Sequence, residues 1–323
     1  METSSLQANC SSQGNTSLPI PPYVERFQLA IYIPTFILGL LFNGMAMWFA
    51  CRKIRQWTEP IIYMASLMVF DTLMLFALPF KIISYHKSEW VLGGAFCSFL
   101  ESLYFVNMYG SILTSTCICV DRYIAILHPF AAMTLRSPKK AATTCLVISA
   151  GVWAGTAYTY QLHQHGGPCF YGFSGSIWKN TILFITLETA FLVCMTAMIF
   201  CTIRIIVRLR RNQTPGEPLT NRSKSINIIT ANLTTFLVCF TPLHVALVLY
   251  YLVKNQILDD CQQIIRSFVQ ISLCWANLNC FLDGFCYYFV LKEFMKFAST
   301  EKNTQAICSL LCDILVSAGG AVG

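Results

Sequence analysis

The hydrophobic positions of this chain fall into seven long runs separated by short polar connections. Each run reaches the roughly 20 apolar residues that an α-helix needs to cross a bilayer. The predicted spans are 27–51, 61–85, 94–127, 140–162, 178–209, 225–253 and 264–289. The third, fifth and sixth runs exceed one hydrocarbon core and predict helices that tilt or protrude. The pattern therefore predicts an all-α membrane protein, a seven-transmembrane helix bundle, over residues 27–289.

Composition and charge agree with this pattern. Hydrophobic residues make up 55% of the chain and charged residues only 11%, whereas soluble domains carry about a quarter charged residues. The first, third and fifth connections are richer in Lys and Arg than the alternate ones, which by the positive-inside rule places them in the cytoplasm. The N-terminus is then expected outside, in a multi-pass protein of the plasma membrane. The net charge of +7 is accounted for by topology, so nucleic acid is not an expected partner.

The segments outside the bundle carry weaker signals. Residues 1–26 lack an apolar core, so no cleavable signal peptide is expected, and this extracellular tail holds glycosylation sequons at Asn9 and Asn15. Residues 290–298 alternate charged and apolar positions and predict a short eighth helix on the membrane surface. Residues 299–323 form a cytoplasmic tail in which Cys308 and Cys312 are palmitoylation candidates.

Cysteine usage and one charged motif bear on function. Most of the 16 cysteines lie within spans, where a free thiol behaves as a small hydrophobe. Those in predicted extracellular positions, where disulfides persist, allow three connectivities; they are Cys10, Cys97, Cys169 and Cys261. The third span begins near Cys97 and closes with Asp121-Arg122-Tyr123. A charge such as Arg122 at membrane depth is costly and usually functional.

The order of motifs along the spans resembles rhodopsin-like G-protein-coupled receptors over roughly residues 30–297. The matches lie in the family's order on the first four spans and on the sixth and seventh, and are Asn43, Asp71, the stretch from Cys97 to Asp121-Arg122-Tyr123, Trp153, Cys239-Phe240-Thr241-Pro242 and Asp283-Gly284-Phe285-Cys286-Tyr287. The chain departs from the family at Phe240, where most members have Trp, at Asp283-Gly284, where Asn-Pro is usual, and at Met195, where a proline is common. These departures concern the activation switch rather than the class.

The resemblance implies a set of roles. Arg122 would pair with Asp121 at rest and become available to a heterotrimeric G protein on activation, with arrestin as a further partner. The remaining coupling and activation residues would be Tyr123, Phe240, Pro242, Asp283 and Tyr287. Cys97 would bond to Cys169, and Cys10 to Cys261. Asp71, Ser111, Asn279 and Asp283 would form a sodium site, or else a water cluster with one of the two acids protonated.

A narrower resemblance concerns the ligand. Leu78-Pro79-Phe80-Lys81 is typical of the branch that holds nucleotide, protease-activated and lysolipid receptors, and the stretches 102–111 and 285–290 are most similar to lysophosphatidylinositol receptors. The implied function is a receptor for an anionic lysophospholipid, lysophosphatidylinositol above all, acting through the Gα-twelve/thirteen class and through Gq. A receptor for a small aromatic acid or a nucleotide is the alternative.

The residues themselves suit such a ligand. Lys81 lies about 15 Å beyond Asp71 at helical rise, at a depth similar to that of Glu101, so it either braces Glu101 in a salt bridge or attracts a phosphate. Tyr104 stands where amine receptors carry an acid, which argues against a monoamine. A basic rim above an apolar wall suits an anionic head with an apolar body. The predicted ligand-binding residues are Lys81, Glu101, Tyr104, Phe105, Met108, His244, Leu247, Tyr250, Lys254, Arg266 and Gln270.

Other function classes fit less well. A transporter or channel would need charge-lined conduits or paired broken helices, whereas the mid-span charges reduce to Asp71, Glu188, Asp283 and the pocket residues. An enzyme would need a catalytic constellation, but no metal motif of the His-Glu-x-x-His type and no placeable Ser-His-Asp set are present in the sequence. The chain is therefore expected not to be an enzyme.

Overall fold

The structure, a computed structural model, describes residues 21–53, 57–85, 90–161, 169–170, 180–211, 219–258 and 262–288. All regular secondary structure in these ranges is helical. The helices are α1 Pro22–Lys53, α2 Glu59–Ser84, α3 Gly94–Leu127, α4 Pro129–Leu135, α5 Pro138–Gln161, α6 Thr181–Arg211, α7 Leu219–Lys254 and α8 Gln262–Ala276. A ninth helical stretch, α9, covers 279–288.

Several predicted features lie outside the described residues. They are the sequons at Asn9 and Asn15, the cysteines Cys10, Cys261, Cys308 and Cys312, and the surface helix at 290–298. The predictions about them stay predictions.

Six of the described helices are long and apolar enough to cross a membrane, namely α1, α2, α3, α5, α6 and α7. They correspond to the first six predicted spans. The seventh predicted span, 264–289, is interrupted by a turn at 277–278, and α8 is only 15 residues long. In the turn, the Leu278 amide donates to the Trp275 carbonyl at 3.1 Å and the Cys280 amide to the Asn277 carbonyl at 3.2 Å. The last crossing is thus made by two consecutive helices rather than one.

The connection after α3 forms a short helix that the apolar pattern did not predict. Pro129 occupies the first turn of α4, where its fixed φ is favourable and its missing N–H costs nothing. Arg136 caps the C-terminus of α4 with its amide bonded to the Ala132 carbonyl at 3.0 Å. The side chains of Phe130 and Met133 are 85% and 78% exposed.

Helix α3 occupies the centre of the bundle and packs against α2, α4, α5, α6 and α7, while α8 closes the ring between α7 and α1. Glycines allow the closest approaches. A Cβ at Gly110 on α3 would lie 2.8 Å from the ring of Phe70, and one at Gly284 on α9 would lie 2.9 Å from the backbone nitrogen of Asn43. These contacts hold α3 to α2 and α9 to α1. We refer below to the Cys97 end and the Arg122 end of the bundle.

Candidate functional site

A disulfide joins the start of α3 to the segment at 169–170. The sulfur atoms of Cys97 and Cys169 are 2.00 Å apart and their Cα atoms 5.6 Å. This confirms one of the two disulfides implied by the resemblance. The bond brings Phe170, the residue after Cys169, over the interior of the Cys97 end.

Glu101 fixes the orientation of Phe170. The Phe170 amide donates to Glu101 Oε1 at 2.7 Å, and Phe170 has a φ of 69°, a left-handed conformation that is uncommon for residues other than glycine. The carboxylate lies one helical turn from Cys97, so the disulfide and this hydrogen bond constrain the same short segment. Sequence reasoning placed Glu101 in the site but did not predict this backbone contact.

Lys81 is buried beneath Phe170, with 3% of its surface exposed. Its Nζ lies 5.1 Å from the centroid of the Phe170 ring and 4.8 Å from that of Tyr85, within the range of cation–π attraction. Glu101 accepts from the Phe170 amide through Oε1, and its negative charge acts on the Lys81 ammonium. Both roles expected for Lys81, bracing Glu101 and attracting a phosphate, stay predictions.

Polar residues of α1 and α8 support the ring of Tyr85. The Tyr85 hydroxyl donates to Gln28 Oε1. Gln28 Nε2 in turn donates to the carbonyl of Gln270 at 3.0 Å and to its Oε1 at 3.2 Å. Gln270, a predicted ligand contact, lies buried in this network, and its contact with ligand stays a prediction. Gln28 and Tyr85 were missed because no motif marks them.

The predicted apolar wall is divided between two clusters. Tyr104 packs with residues of α1, α2 and α8 and meets the Phe170 ring edge to face at 5.9 Å. Phe105, Met108 and Leu247 pack with residues of α6 and α7. The Tyr104 hydroxyl is buried and makes no hydrogen bond to any described residue.

A second polar pair bridges α6 and α7. Nδ1 of His244 lies 3.1 Å from both carboxylate oxygens of Glu188, and its ring stacks on Phe191 with centroids 3.7 Å apart. His244 is 2% exposed, and its Nε2 has no hydrogen-bond partner among the described residues. The sequence marked Glu188 as a mid-span charge and His244 as a ligand-binding candidate but gave no sign that they pair.

The predicted basic rim lies where α7 ends and α8 begins. Lys254 is exposed and Arg266 half-buried, and the two positive charges act on one another. Tyr250 packs one turn deeper, in a cluster with Leu247. The rim is therefore positive but lies outside the aromatic enclosure of Lys81.

The proposed cation-site residues lie in the middle of the bundle. Asp71 is fully buried; its Oδ1 accepts from Asn107 Nδ2 at 3.1 Å, while its Oδ2 has no hydrogen-bond partner among the described residues. Asn279 Nδ2 donates to Asp283 Oδ2 at 2.7 Å, and Ser111 is buried. Asn107 belongs to this group, although sequence reasoning did not include it.

At the other end of the bundle, Asp121 contacts two guanidinium groups. Arg122 donates to Asp121 Oδ2 through Nη2 at 2.6 Å and through Nε at 3.2 Å, as the resemblance implied. Arg136 Nε donates to Asp121 Oδ1 at 2.7 Å, and its Nη2 lies 3.0 Å from Glu59 Oε2. Burial alone would lower the pKa of Arg136, but the hydrogen bond to Asp121 and the charges of Asp121 and Glu59 raise that pKa above its ordinary value. The sequence had marked Arg136 only as one of several basic loop residues.

A cavity of about 570 Å³ opens beside these charges. Its lining comes from α2, α3, α7 and α9 and includes Arg122, Arg136 and Tyr287 together with isoleucines of three helices. Tyr123 packs beside it, with its ring 5.8 Å from that of Phe200. The lining combines ion-paired charged groups, Glu59 among them, with apolar side chains, and such a cavity can receive an amphipathic segment of a partner protein.

Two further activation residues implied by the resemblance lie between the two ends. Phe240 on α7 is 2% exposed and meets the ring of Phe236 at 5.5 Å. Pro242 lies inside the same helix, where its missing donor permits local bending. Phe240 is part of the core between α3, α6 and α7.

The arrangement defines a class of protein. A multi-pass helical bundle with a disulfide-pinned enclosure at one end and an ion-paired cavity at the other has the arrangement of a G-protein-coupled receptor, a class of protein that binds a ligand and heterotrimeric G proteins and is not an enzyme. Residues 42–287 match the model of the 7 transmembrane receptor (rhodopsin family). The chain belongs to that family.

Its relatives include several receptors of the lipid and orphan branch. G-protein coupled receptor 55 of Mus musculus is 37% identical over 96% of this chain and 98% of its own length. Lysophosphatidic acid receptor 4 of Homo sapiens is 32% identical over 88% and 80%, and G-protein coupled receptor 35 of Homo sapiens is 32% identical over 92% and 97%. This chain is similar to all three along most of its length.

Proposed function

We propose that the chain is a receptor for an anionic lysophospholipid, lysophosphatidylinositol, in the plasma membrane with the Cys97 end outside. The observation that carries this proposal is the buried ammonium of Lys81, enclosed by the rings of Tyr85 and Phe170. Phosphate is a strong acceptor for such a donor, because a charge-assisted hydrogen bond is about twice as strong as a neutral one. Lys254 and Arg266 would attract the head group from solution.

The aliphatic chain of the ligand would pass along the side chains of α3 and α7. Phe105, Met108 and Leu247 supply apolar surface there. Tyr104 offers a buried hydroxyl at the boundary between the polar and apolar parts, which suits the hydroxyl groups of an inositol head. The relatives named lysophosphatidic acid receptors support a lysophospholipid as the ligand class.

The Arg122 end would carry G-protein coupling. The cavity lined by Arg122, Arg136 and Tyr287 would receive the G protein once Arg122 leaves Asp121. The resemblance supports the Gα-twelve/thirteen class, with Gq as a second partner, and arrestin as a regulator at the same end. A sodium ion would stabilise the resting state at Asp71, Ser111, Asn279 and Asp283, since Asp71 Oδ2 and Ser111 Oγ are buried oxygens without a described hydrogen-bond partner.

The test is a concentration–response panel in cells that express the chain. The probes are lysophosphatidylinositol, lysophosphatidic acid, a nucleoside diphosphate and a small aromatic carboxylic acid. Lysophosphatidylinositol is expected to be the most potent. Lys81→Met is expected to lower its potency by about 10- to 100-fold, the loss expected for one charge-assisted hydrogen bond.

Lys254→Met is the matched control, because it removes an exposed ammonium from the rim. Its effect is expected to be less than about fivefold and to vanish at high salt, as for a screened surface charge. Equal potency of Lys81→Met and the parent chain at equal surface expression would contradict the assigned role of Lys81. A response to the nucleotide or the aromatic acid alone would contradict the lipid ligand while leaving the receptor class intact.

A further inference from the structure

The side chains at the Arg122 end form a neutral cluster of two acids and two guanidinium groups. Asp121 is 7% exposed and lies between Arg122 and Arg136, and Glu59 contacts Arg136 from the start of α2. Arg136 donates to both oxygens of Asp121, through Nε to Oδ1 at 2.7 Å and through Nη2 to Oδ2 at 3.2 Å, whereas Arg122 contacts only Oδ2. The two guanidinium groups therefore share Oδ2, and Arg136 alone contacts Oδ1.

From this sharing we infer that Arg136 is a positioning residue for activation: it keeps Asp121 paired while Arg122 leaves for the G-protein cavity. A nearly buried carboxylate that loses its only partner is strongly destabilised. With Arg136 in place, departure of Arg122 leaves two acids around one guanidinium group. Without Arg136, departure of Arg122 would leave the two acids with no positive charge between them.

The local fold suits this role. Arg136 is fixed at the C-terminus of α4, where its amide bonds to the Ala132 carbonyl. Its Nη2 contact to Glu59 at 3.0 Å ties the guanidinium to the start of α2. Neither contact involves Arg122, so both can persist when Arg122 moves. Arg136 also lines the cavity beside Arg122, so it lies where a G protein would approach.

This inference rests on the proposed coupling role of Arg122 but not on the proposed ligand. The measurement is therefore nucleotide exchange without ligand, in membranes that contain the receptor. The G protein used is the heterotrimer, from a panel that covers the four Gα classes, that the parent chain activates. Receptor density is raised until that basal exchange is measurable, and each variant is compared at equal surface expression. Arg136→Gln is expected to lower basal exchange about tenfold, the order of one lost charge-assisted contact.

The background variant Asp121→Asn separates positioning from mere folding. It removes the charge that Arg136 compensates and is expected to raise basal exchange. In that background, adding Arg136→Gln should change exchange by less than about twofold, since the coupling between neighbouring sites disappears when one partner is removed. Lys139→Gln is the matched control, because it removes an exposed positive charge three residues away that has no contact with Asp121.

Each outcome decides the inference. A tenfold loss that occurs only when Asp121 is charged supports it. An equal loss in both backgrounds would show that Arg136 only stabilises the fold. Higher basal exchange in Arg136→Gln would show that Arg136 stabilises the resting state. Either result overturns the inference. Retained exchange in Arg122→Ala would instead overturn the proposed coupling role, whatever the result for Arg136.

Discussion

Replacing His244 with Phe should destabilise the bundle, although the two side chains have similar shapes. The phenyl ring preserves the parallel stacking on Phe191 at 3.7 Å. It removes the Nδ1 atom that lies 3.1 Å from both oxygens of Glu188. Glu188, with its side chain 13% exposed, is then left without a partner inside the membrane.

The expected magnitude follows from the membrane environment. An ionisable side chain at the centre of a membrane helix costs about 2.5–3.5 kcal/mol on insertion scales. Partial exposure of Glu188 reduces this, so we expect a loss of about 2 kcal/mol for His244→Phe. At about 2–4 °C per kcal/mol for a chain of this order of size, the thermal midpoint in detergent should fall by about 4–8 °C.

The double variant Glu188→Met, His244→Phe provides the decisive comparison. Replacing both partners with apolar groups of similar shape is close to neutral, so the double variant should recover most of the lost midpoint. His128→Phe, which changes an exposed histidine, should leave the midpoint within about 1 °C of the parent, as surface substitutions usually do. The reasoning would be refuted if His244→Phe had the midpoint of the parent chain. It would also be refuted if the double variant lost as much midpoint as the two single variants lose together.

Three further predictions concern other parts of the bundle. Gly284→Ala should lower the thermal midpoint, since overpacking costs about 1–3 kcal/mol and the new Cβ would lie 2.9 Å from the Asn43 backbone nitrogen. Gly44→Ala should leave the midpoint unchanged, because the space around Gly44 is open. Equal effects of the two substitutions would contradict the close approach at Gly284. Arg122→Ala should abolish nucleotide exchange at normal surface expression while ligand binding persists; full signalling would contradict its role. Peptide mapping should recover a Cys10–Cys261 cross-link, and two free thiols there would refute that bond.

The sequence predicted the bundle well, because span length and hydrophobicity determine which segments cross a bilayer. It also predicted the Asp121–Arg122 contact, in which the two residues are adjacent in the chain. The Cys97–Cys169 bond came from the resemblance, since spacing alone left three connectivities open.

The contacts that were missed join residues far apart in the chain. Glu188 pairs with His244 across 56 positions and Arg136 with Glu59 across 77. Such pairs depend on how each helix is rotated about its axis, and the hydrophobic periodicity of largely apolar spans carries little information about rotation. The break at 277–278 was missed for a related reason: a polar turn that is satisfied by neighbouring helices does not interrupt the apolar pattern.

That break has a consequence for how the protein is made. Asn277 donates to the Tyr32 hydroxyl at 3.5 Å, and the carbonyl of Cys280 accepts from Asn43 at 2.7 Å. Both partners lie on α1, which is synthesised well before residues 277–280. The last segment carries polar groups that lipid alone does not satisfy, so its stable entry into the membrane depends on a surface assembled from helices synthesised before it. The polar groups of Asn277 and Cys280 therefore find their partners only on a helix that has already been synthesised.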